Sequence, residues 1–361
     1  MKKLRTWEIL IGLLLVALSF MGGTVPKQII DDVRLATAVG YDYKDPNNFV
    51  GTLEAPVFNP DLTLTQEVYS DVAPISKMNR REINAESPYV VVSGKLQAVL
   101  FNIPLAKQGI MSRIDTLNRD PSIGERIYLA IVDGSSKELL SKQYEQNLDD
   151  GTYLAELMEQ NSEQSFLPTT NLHEFSVSYY TEGVDACLPL LKVVGNKIQI
   201  KGVAYFNNDK YKGFVNNNEA IYLKMLKQNF KSGSLMARKS GSKTMINMEN
   251  IKSSRKFKVT YKNGLPHVTI TITIRGIVTE SYKSNGISNQ EIEDIFEKKI
   301  KRVSRQLISR FKKEHSDPIE IGYQVRIRDR NWDYEKWKSE YKDVPVKVKA
   351  HVQIIEKGLK T

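Results

Sequence analysis

His267-Val268-Thr269-Ile270-Thr271-Ile272-Thr273-Ile274-Arg275 alternates without a break, with Val268, Ile270, Ile272 and Ile274 on one face and Thr269, Thr271, Thr273 and Arg275 on the other. Successive side chains of a strand point to opposite faces, so this period predicts a sheet buried on one side only. The pattern returns at Pro345–Ile355, where Val346, Val348, Ala350, Val352 and Ile354 oppose Lys347, Lys349, His351 and Gln353. Between them, Ser288–Lys313 has helical spacing, with Ile292, Ile295, Phe296, Val303, Leu307 and Phe311 as its inner stripe and Lys299 the polar interruption. Ser288 with Glu291 makes a capping box, and Asp317-Pro318 stops the helix. Ile319–Arg328 reads as a further strand.

Upstream, Lys197–Phe206 alternates and Asn207-Asn208-Asp209 turns it into Tyr211–Val215, a hairpin signal. Asn216-Asn217-Asn218 then caps a helix running to about Phe230, closed by Gly233. Residues 231–253 are small, basic and polar, and read as a loop or an irregular strand edge. Toward the amino terminus, Val33–Tyr43, Phe49–Phe58 and Arg126–Val132 read as strands, as does Leu172–Glu182, and Tyr89–Phe101 is β-rich with Ser93-Gly94 as a bend or bulge. Residues 59–89 read as a partly helical connection. Helices are expected from Pro104 through Leu117, over Ser136–Gln143 and over Gly151–Glu163. Strands and helices mix without a regular βαβ rhythm. The expected class is α+β and multi-domain, with mixed and antiparallel sheets each covered on one side by helices. Pro189 and Gly195-Asn196 mark a seam, which divides the chain into an α+β region at 24–193, with room for two subdomains, and a second α+β domain at 197–361.

Residues 1–23 form a third segment. Lys2, Lys3 and Arg5 precede a nearly unbroken apolar run from Ile9 to Met21. Such a run spans roughly 20 Å as a helix, short of the ~30 Å hydrocarbon core. The length fits an export signal or a short membrane anchor, with Thr24 onward delivered outside. The 361 residues are 41% hydrophobic and 26% charged, which excludes a disordered or polytopic chain. The formal charge of +10 suits a domain held beside an anionic lipid surface, and export excludes nucleic acid as its partner.

Catalytic signals are absent. His173, His267, His315 and His351 are far apart and none has metal-ligand spacing. No Gly-x-Ser-x-Gly elbow occurs. Ser240-Gly241-Ser242-Lys243-Thr244 ends like a phosphate loop but lacks its glycines. The carboxylate pairs Asp31-Asp32 and Asp149-Asp150, and the group Glu291, Glu293 and Asp294, flank turns or helix starts. The one cysteine, Cys187, sits in an apolar cluster and excludes an internal disulfide. On the long helix, Lys298, Lys301, Arg302, Arg305, Lys312 and Lys313 form a basic face open to solvent or to an acidic partner. The chain is therefore expected to be non-enzymatic, with no cofactor, metal or lipidation residue.

Several stretches taken together resemble the C-subunit of bacterial spore germinant receptors, the Ger(x)C family. They are Ile30-Asp31-Asp32-Val33 with Val39-Gly40-Tyr41-Asp42; Leu105-Ala106-Lys107-Gln108-Gly109 with Leu117-Asn118-Arg119-Asp120-Pro121; Arg126–Val132 with Lys137-Glu138-Leu139-Leu140; and Lys201–Lys210 with Gly213 and Glu219-Ala220. The ending is the most specific: Asp317-Pro318, Gly322, Trp332, Trp337, Tyr341 and Val344–Lys349, in which the tryptophans are expected to plug the edge of the C-terminal sheet. The resemblance implies an exported, membrane-associated subunit of a receptor in the spore inner membrane, with polytopic partner subunits, through which nutrient sensing starts germination. Members of that family end their signal in a lipobox cysteine. Here Gly22-Gly23-Thr24-Val25-Pro26 occupies that place, so the thioether anchor has no sulfur to use. The rival expectation is a free extracytoplasmic solute-binding protein, with an enclosed polar pocket between two lobes.

Overall fold

The computed structural model describes residues 7, 10–14, 33–59, 63–144, 148–239, 241–282 and 287–357. Most of the segment read as a signal lies outside the described residues. Within it, residues 10–14 are helical and their apolar side chains are open, Leu10 by 65% and Leu13 by 61%.

A mixed eight-stranded sheet forms the larger layer. Its strands are β2 (Ala38–Tyr43), β3 (Phe49–Phe58), β4 (Leu64–Ala73), β6 (Ala98–Asn102), β7 (Tyr128–Val132), β8 (Cys187–Val194), β9 (Lys197–Asn207) and β10 (Lys210–Asn216), in the order β10-β9-β8-β7-β6-β2-β3-β4. The four central strands, β2, β6, β7 and β8, pair in parallel, and antiparallel pairs extend the sheet at both ends. A small parallel pair, β1 (Val33–Leu35) with β5 (Val90–Val92), lies beside it. Gly195-Asn196, where the sequence places a seam, is the turn joining β8 to β9 inside this one sheet.

Every residue of β6 is buried, as is β7 after its first, so both faces of this sheet are covered. One face packs on α2 (Ile103–Gln108), α3 (Met111–Asn118) and α6 (Leu172–Tyr180), through Phe101, Leu105, Ile114, Leu129 and Phe175. The other packs on α4 (Ser136–Ser141) and α5 (Asp150–Gln164), through Leu100, Val132, Leu139 and Leu154. Helix α1 (Ser76–Glu86) covers the β3–β4 end, with Ile83 buried. The expectation of one-sided cover thus holds for only one of the two large sheets.

That one is the four-stranded sheet β11-β12-β13-β14, built from Leu235–Arg238, Met245–Lys262, Leu265–Tyr282 and Val346–Lys357. Strands β12 and β13 form a long hairpin, and β14 adds in parallel beside β13. Val268, Ile270, Ile272, Ile274, Val348, Ala350 and Val352 are buried against α8 (Asn289–Lys313), whose own stripe is Ile292, Phe296, Ile300, Val303, Leu307 and Phe311. Ser288 caps α8 by accepting from the Glu291 N–H at 3.2 Å. Helix α7 (Asn217–Lys227) joins the two sheets and is buried at every position from Ala220 to Leu226.

Two expectations need correction, and two are met in part. Leu172–Glu182, read as a strand, is helix α6: Asn171 caps it, and Leu172 and Phe175 bury one face at a spacing of three. Ile319–Arg328, also read as a strand, contains the short helix α9 (Ile321–Arg326), whose Ile321 and Val325 face the core. Residues 59–89 contain the full edge strand β4 as well as a helix. Residues 231–253 hold β11 and the start of an 18-residue strand, kinked by bulges near Met248 and Lys252.

Candidate functional site

The two halves meet where the loop before β8 touches the loop after α8. The Asp185 N–H donates to the Asp317 carbonyl at 3.0 Å, and the Asp317 N–H returns a 2.7 Å bond to Asp185 Oδ2. Asp185 Oδ1 accepts the Asn208 N–H of the β9–β10 turn at 2.7 Å. Asp317 takes the Ile321 N–H on Oδ1 at 3.0 Å and the Gly322 N–H on Oδ2 at 2.7 Å, which caps α9. All four carboxylate oxygens are therefore occupied by backbone donors. Burial pushes Asp185 up to about 6 and Asp317 up to about 7, against the opposing pull of those donors.

Aromatic rings close the junction. Trp337 lies on α10 (Tyr334–Glu340) and packs on Trp332 and Tyr341, with centroids 5.3 and 5.5 Å away. Trp332 donates its indole N–H to Glu182 at 3.2 Å, and Tyr341 donates to the Ser316 carbonyl at 2.9 Å. The tryptophans thus seal the joint between the halves instead of a sheet edge, because Gly322 brings α9 against Trp337 and Gly183. A cleft of about 310 Å³ remains, lined by polar groups (Asp185, Asn208, His315) and apolar ones (Val184, Trp337, Tyr341) alike.

Other recesses differ in chemistry. A cleft of about 300 Å³ on the larger sheet is mostly apolar, through Val39, Leu53 and Leu96, and is rimmed by the Arg80–Asp120 pair at 3.3 Å. A groove of about 480 Å³ between α6 and α9 contains Glu320, which Lys227 (3.3 Å) and Arg255 (3.0 Å) hold below the usual carboxylate range despite burial. Glu54 is fully buried and accepts from Thr37 Oγ1 at 2.5 Å. Burial raises it to about 7, and the N–H groups of Asp150 and Gly151 at the start of α5 pull the other way. Sequence reading missed Glu54, Asp185 and Asp317 as a set, since nothing local marks contacts made so far along the chain.

The carboxylates singled out from sequence serve structure. Asp149 caps α5 by accepting the Thr152 N–H at 2.9 Å, Glu291 pairs with Lys239 at 2.6 Å, and Glu293 accepts the Ile354 N–H at 2.9 Å. Asp31 and Asp32 lie outside the described residues. Residues 241–244 turn β11 into β12, where the Ser242 N–H donates to the Lys239 carbonyl. Cys187 is buried, and burial raises its thiol pKa, which keeps it protonated. Among the described residues no cluster of three His, Cys, Asp or Glu side chains could hold a metal, and no helix is long and apolar enough to cross a membrane.

Comparison with known proteins completes the description. Residues 26–193 match the family model described as spore germination protein N-terminal domain, and residues 201–358 the one described as spore germination B3/GerAC-like, C-terminal. The spore germination protein GerQC of Bacillus cereus is 28% identical over 352 residues, 96% of this chain and 98% of that one. The spore germination protein B3 of Bacillus subtilis (strain 168) is 26% identical over 166 residues, 44% of each chain. The crystal structure of the GerBC protein superposes with a TM-score of 0.54 at 17% identity, covering 88% of this chain and 96% of that one, which shows a shared fold.

Proposed function

The chain belongs to the family of spore germination proteins of the B3/GerAC type, and on that premise we propose that it is a non-enzymatic subunit of a nutrient germinant receptor. In this reading it sits at the exported face of the spore inner membrane and acts through contacts with polytopic partner subunits. The observation that carries the reading is the co-linear match along 96% of the chain, which covers both halves and the joint between them.

The geometry supports an adaptor. The Asp185–Asp317 clamp and the aromatic seal tie the halves together, so a contact on one sheet can be transmitted to the other. The buried carboxylates at the joint each accept two backbone N–H groups, which suits a structural clamp. Partner dependence is the test. Spores lacking the neighbouring polytopic subunits should lose this protein from the membrane fraction and fail to respond to nutrient. Unchanged abundance and retention would sink the receptor reading.

A second reading, capture of a small nutrient solute, is favoured by one feature: the cleft of about 310 Å³ at the joint between the halves, lined by polar and apolar groups alike. Saturable, selective binding of a nutrient to the purified protein, detected by calorimetry, supports it. Heats that stay linear across a nutrient panel exclude it.

A further inference from the structure

Among the described residues, no helix covers the outer face of the four-stranded sheet, whose outward β12 and β14 residues are exposed. Register aligns its outward residues into rows across β12, β13 and β14: Lys252–Arg275–Gln353, Ser254–Thr273–His351, Lys256–Thr271–Lys349 and Lys258–Thr269–Lys347. No acidic residue occupies any of these rows. The β12 and β14 members are exposed, and none of the five lysines pairs with a described carboxylate. Arg275 donates to Gln353 at 2.8 Å, its own neighbour in the row. Two basic columns thus run along the face about 10 Å apart, with a file of threonine hydroxyls between them.

Lys252 faces Arg275 directly across strands, and the remaining lysines repeat at every second position along β12 and β14 with no acid in the rows to offset them, so the charge of these rows is uncompensated. On the long helix, by contrast, basic residues are interleaved with acids, as in the Glu297–Lys301 pair at 2.8 Å. Within these four rows no aromatic or aliphatic anchor projects, as the centre of a specific protein interface would need; the aliphatic Ile277, with Glu249 and Glu356 beside it, lies at their end. The rows lack the stacking rings of a single-strand nucleic-acid platform as well. A flat cationic grid with hydroxyls fits a planar, laterally mobile array of phosphates. The amino-terminal segment points to the same surroundings: among the described residues, Leu10, Ile11, Leu13 and Leu14 are exposed apolar side chains.

We infer that this Lys/Thr face is the surface by which the protein lies on an anionic phospholipid bilayer. The inference rests on the membrane location proposed above but names the face, and it needs no partner subunit. The face orients the protein, holding the sheet flat on the headgroups and turning α8 and the Asp185–Asp317 joint away from the lipid.

The test uses the full chain and flotation with vesicles of phosphatidylcholine, alone or with about one third phosphatidylglycerol. Four lysines, each worth roughly fivefold near such a surface, predict binding about a hundredfold or more stronger to the anionic vesicles at about 0.1 M salt, falling away at high salt. The variant K256Q/K258Q/K347Q/K349Q should lose most of that gain and keep its affinity for neutral vesicles. A matched variant on the long helix, K298Q/R302Q/R305Q/K313Q, removes the same charge and should keep the gain. Near-ultraviolet circular dichroism checks that both are folded. Equal binding of the wild type to neutral and anionic vesicles overturns the inference. So does a gain retained by the sheet variant, or one lost equally by the helix variant. Because no receptor partner is present, failure here is distinct from failure of the receptor reading, which partner deletion in spores decides.

Discussion

Gly183 and Gly322 meet backbone to backbone, so that a Cβ on Gly183 would lie 2.6 Å from the Gly322 carbonyl carbon and one on Gly322 would lie 2.7 Å from Gly183 Cα. The Tyr323 N–H donates to the Gly183 carbonyl at 3.0 Å in the same contact. Gly322→Ala must push α9 off both Gly183 and the Trp337 ring, at a cost of about 1–3 kcal/mol. Tryptophan fluorescence should shift toward that of a solvated indole, and the urea midpoint should fall. An unchanged midpoint and emission would show that the joint yields freely.

Asp317 gives the joint a pH dependence. Its folded pKa of about 7 lies above the ordinary aspartate value, so the stability it contributes is complete at acid pH and is lost as pH rises through 7. Asp317→Asn lowers stability overall, because an amide cannot accept both the Ile321 and the Gly322 N–H. It should also flatten the decline in melting temperature between pH 5 and pH 8, by about 2–4 °C. Parallel pH profiles for the two proteins would contradict this account.

Lys224 predicts the opposite slope. Its ammonium is buried and donates to the Ser162 and Ser165 carbonyls at the end of α5, both at 2.8 Å, and burial lowers its pKa to about 8. The unfolded chain then binds more protons between pH 8 and 10, so wild-type stability should gain over that range relative to Lys224→Met. At pH 7 the variant leaves two carbonyls unpaired and should lose on the order of 2 kcal/mol. A stability difference that stays constant from pH 7 to 10 refutes the assignment.

Asp42 holds α4 onto the central sheet. Its carboxylate accepts the Ser136 and Lys137 N–H groups and the Ser135 hydroxyl, each at 2.8 Å. Asp42→Ala strands these donors where water cannot reach the Ser136 N–H, and about 2–4 kcal/mol should be lost. Amide hydrogen exchange should rise first at Ser136 and Lys137. Unchanged protection there would mean that the cap is dispensable.

Sequence reading succeeded where local pattern and burial agree. Phe49–Phe58 is a strand, and Arg126–Val132 contains the strand Tyr128–Val132, because apolar or alternating runs ended at turn residues; Asn289–Lys313 is a helix capped by Ser288 because stripe, cap and length concur. It failed at α6, where Phe175, Val177, Tyr179 and Tyr180 have strand-like composition but Asn171 and the Leu172–Phe175 spacing impose a helix. At α9 the Asp317 cap decides, and its donors lie four and five residues on. The α+β class was legible, but the joint was not. Asp185 and Asp317 are 132 residues apart, and neither neighbourhood carries a sign of the other. The basic face was half visible: alternation gave the Lys347–Gln353 file, while its alignment with Lys252–Lys258 depends on a register that no single strand encodes.

The parallel pairing of β13 with β14 also sets an order of events during synthesis. Val268 is paired with Val346, about 78 residues later, and the intervening chain includes all of α8. Until β14 emerges, the β12–β13 hairpin carries an unpaired backbone edge on β13, beside an apolar face of Val268, Ile270, Ile272 and Ile274. A nascent chain halted or clipped before Val346 would therefore present a long adhesive ribbon and not a slightly shortened protein. Loss of β14 should read out as aggregation.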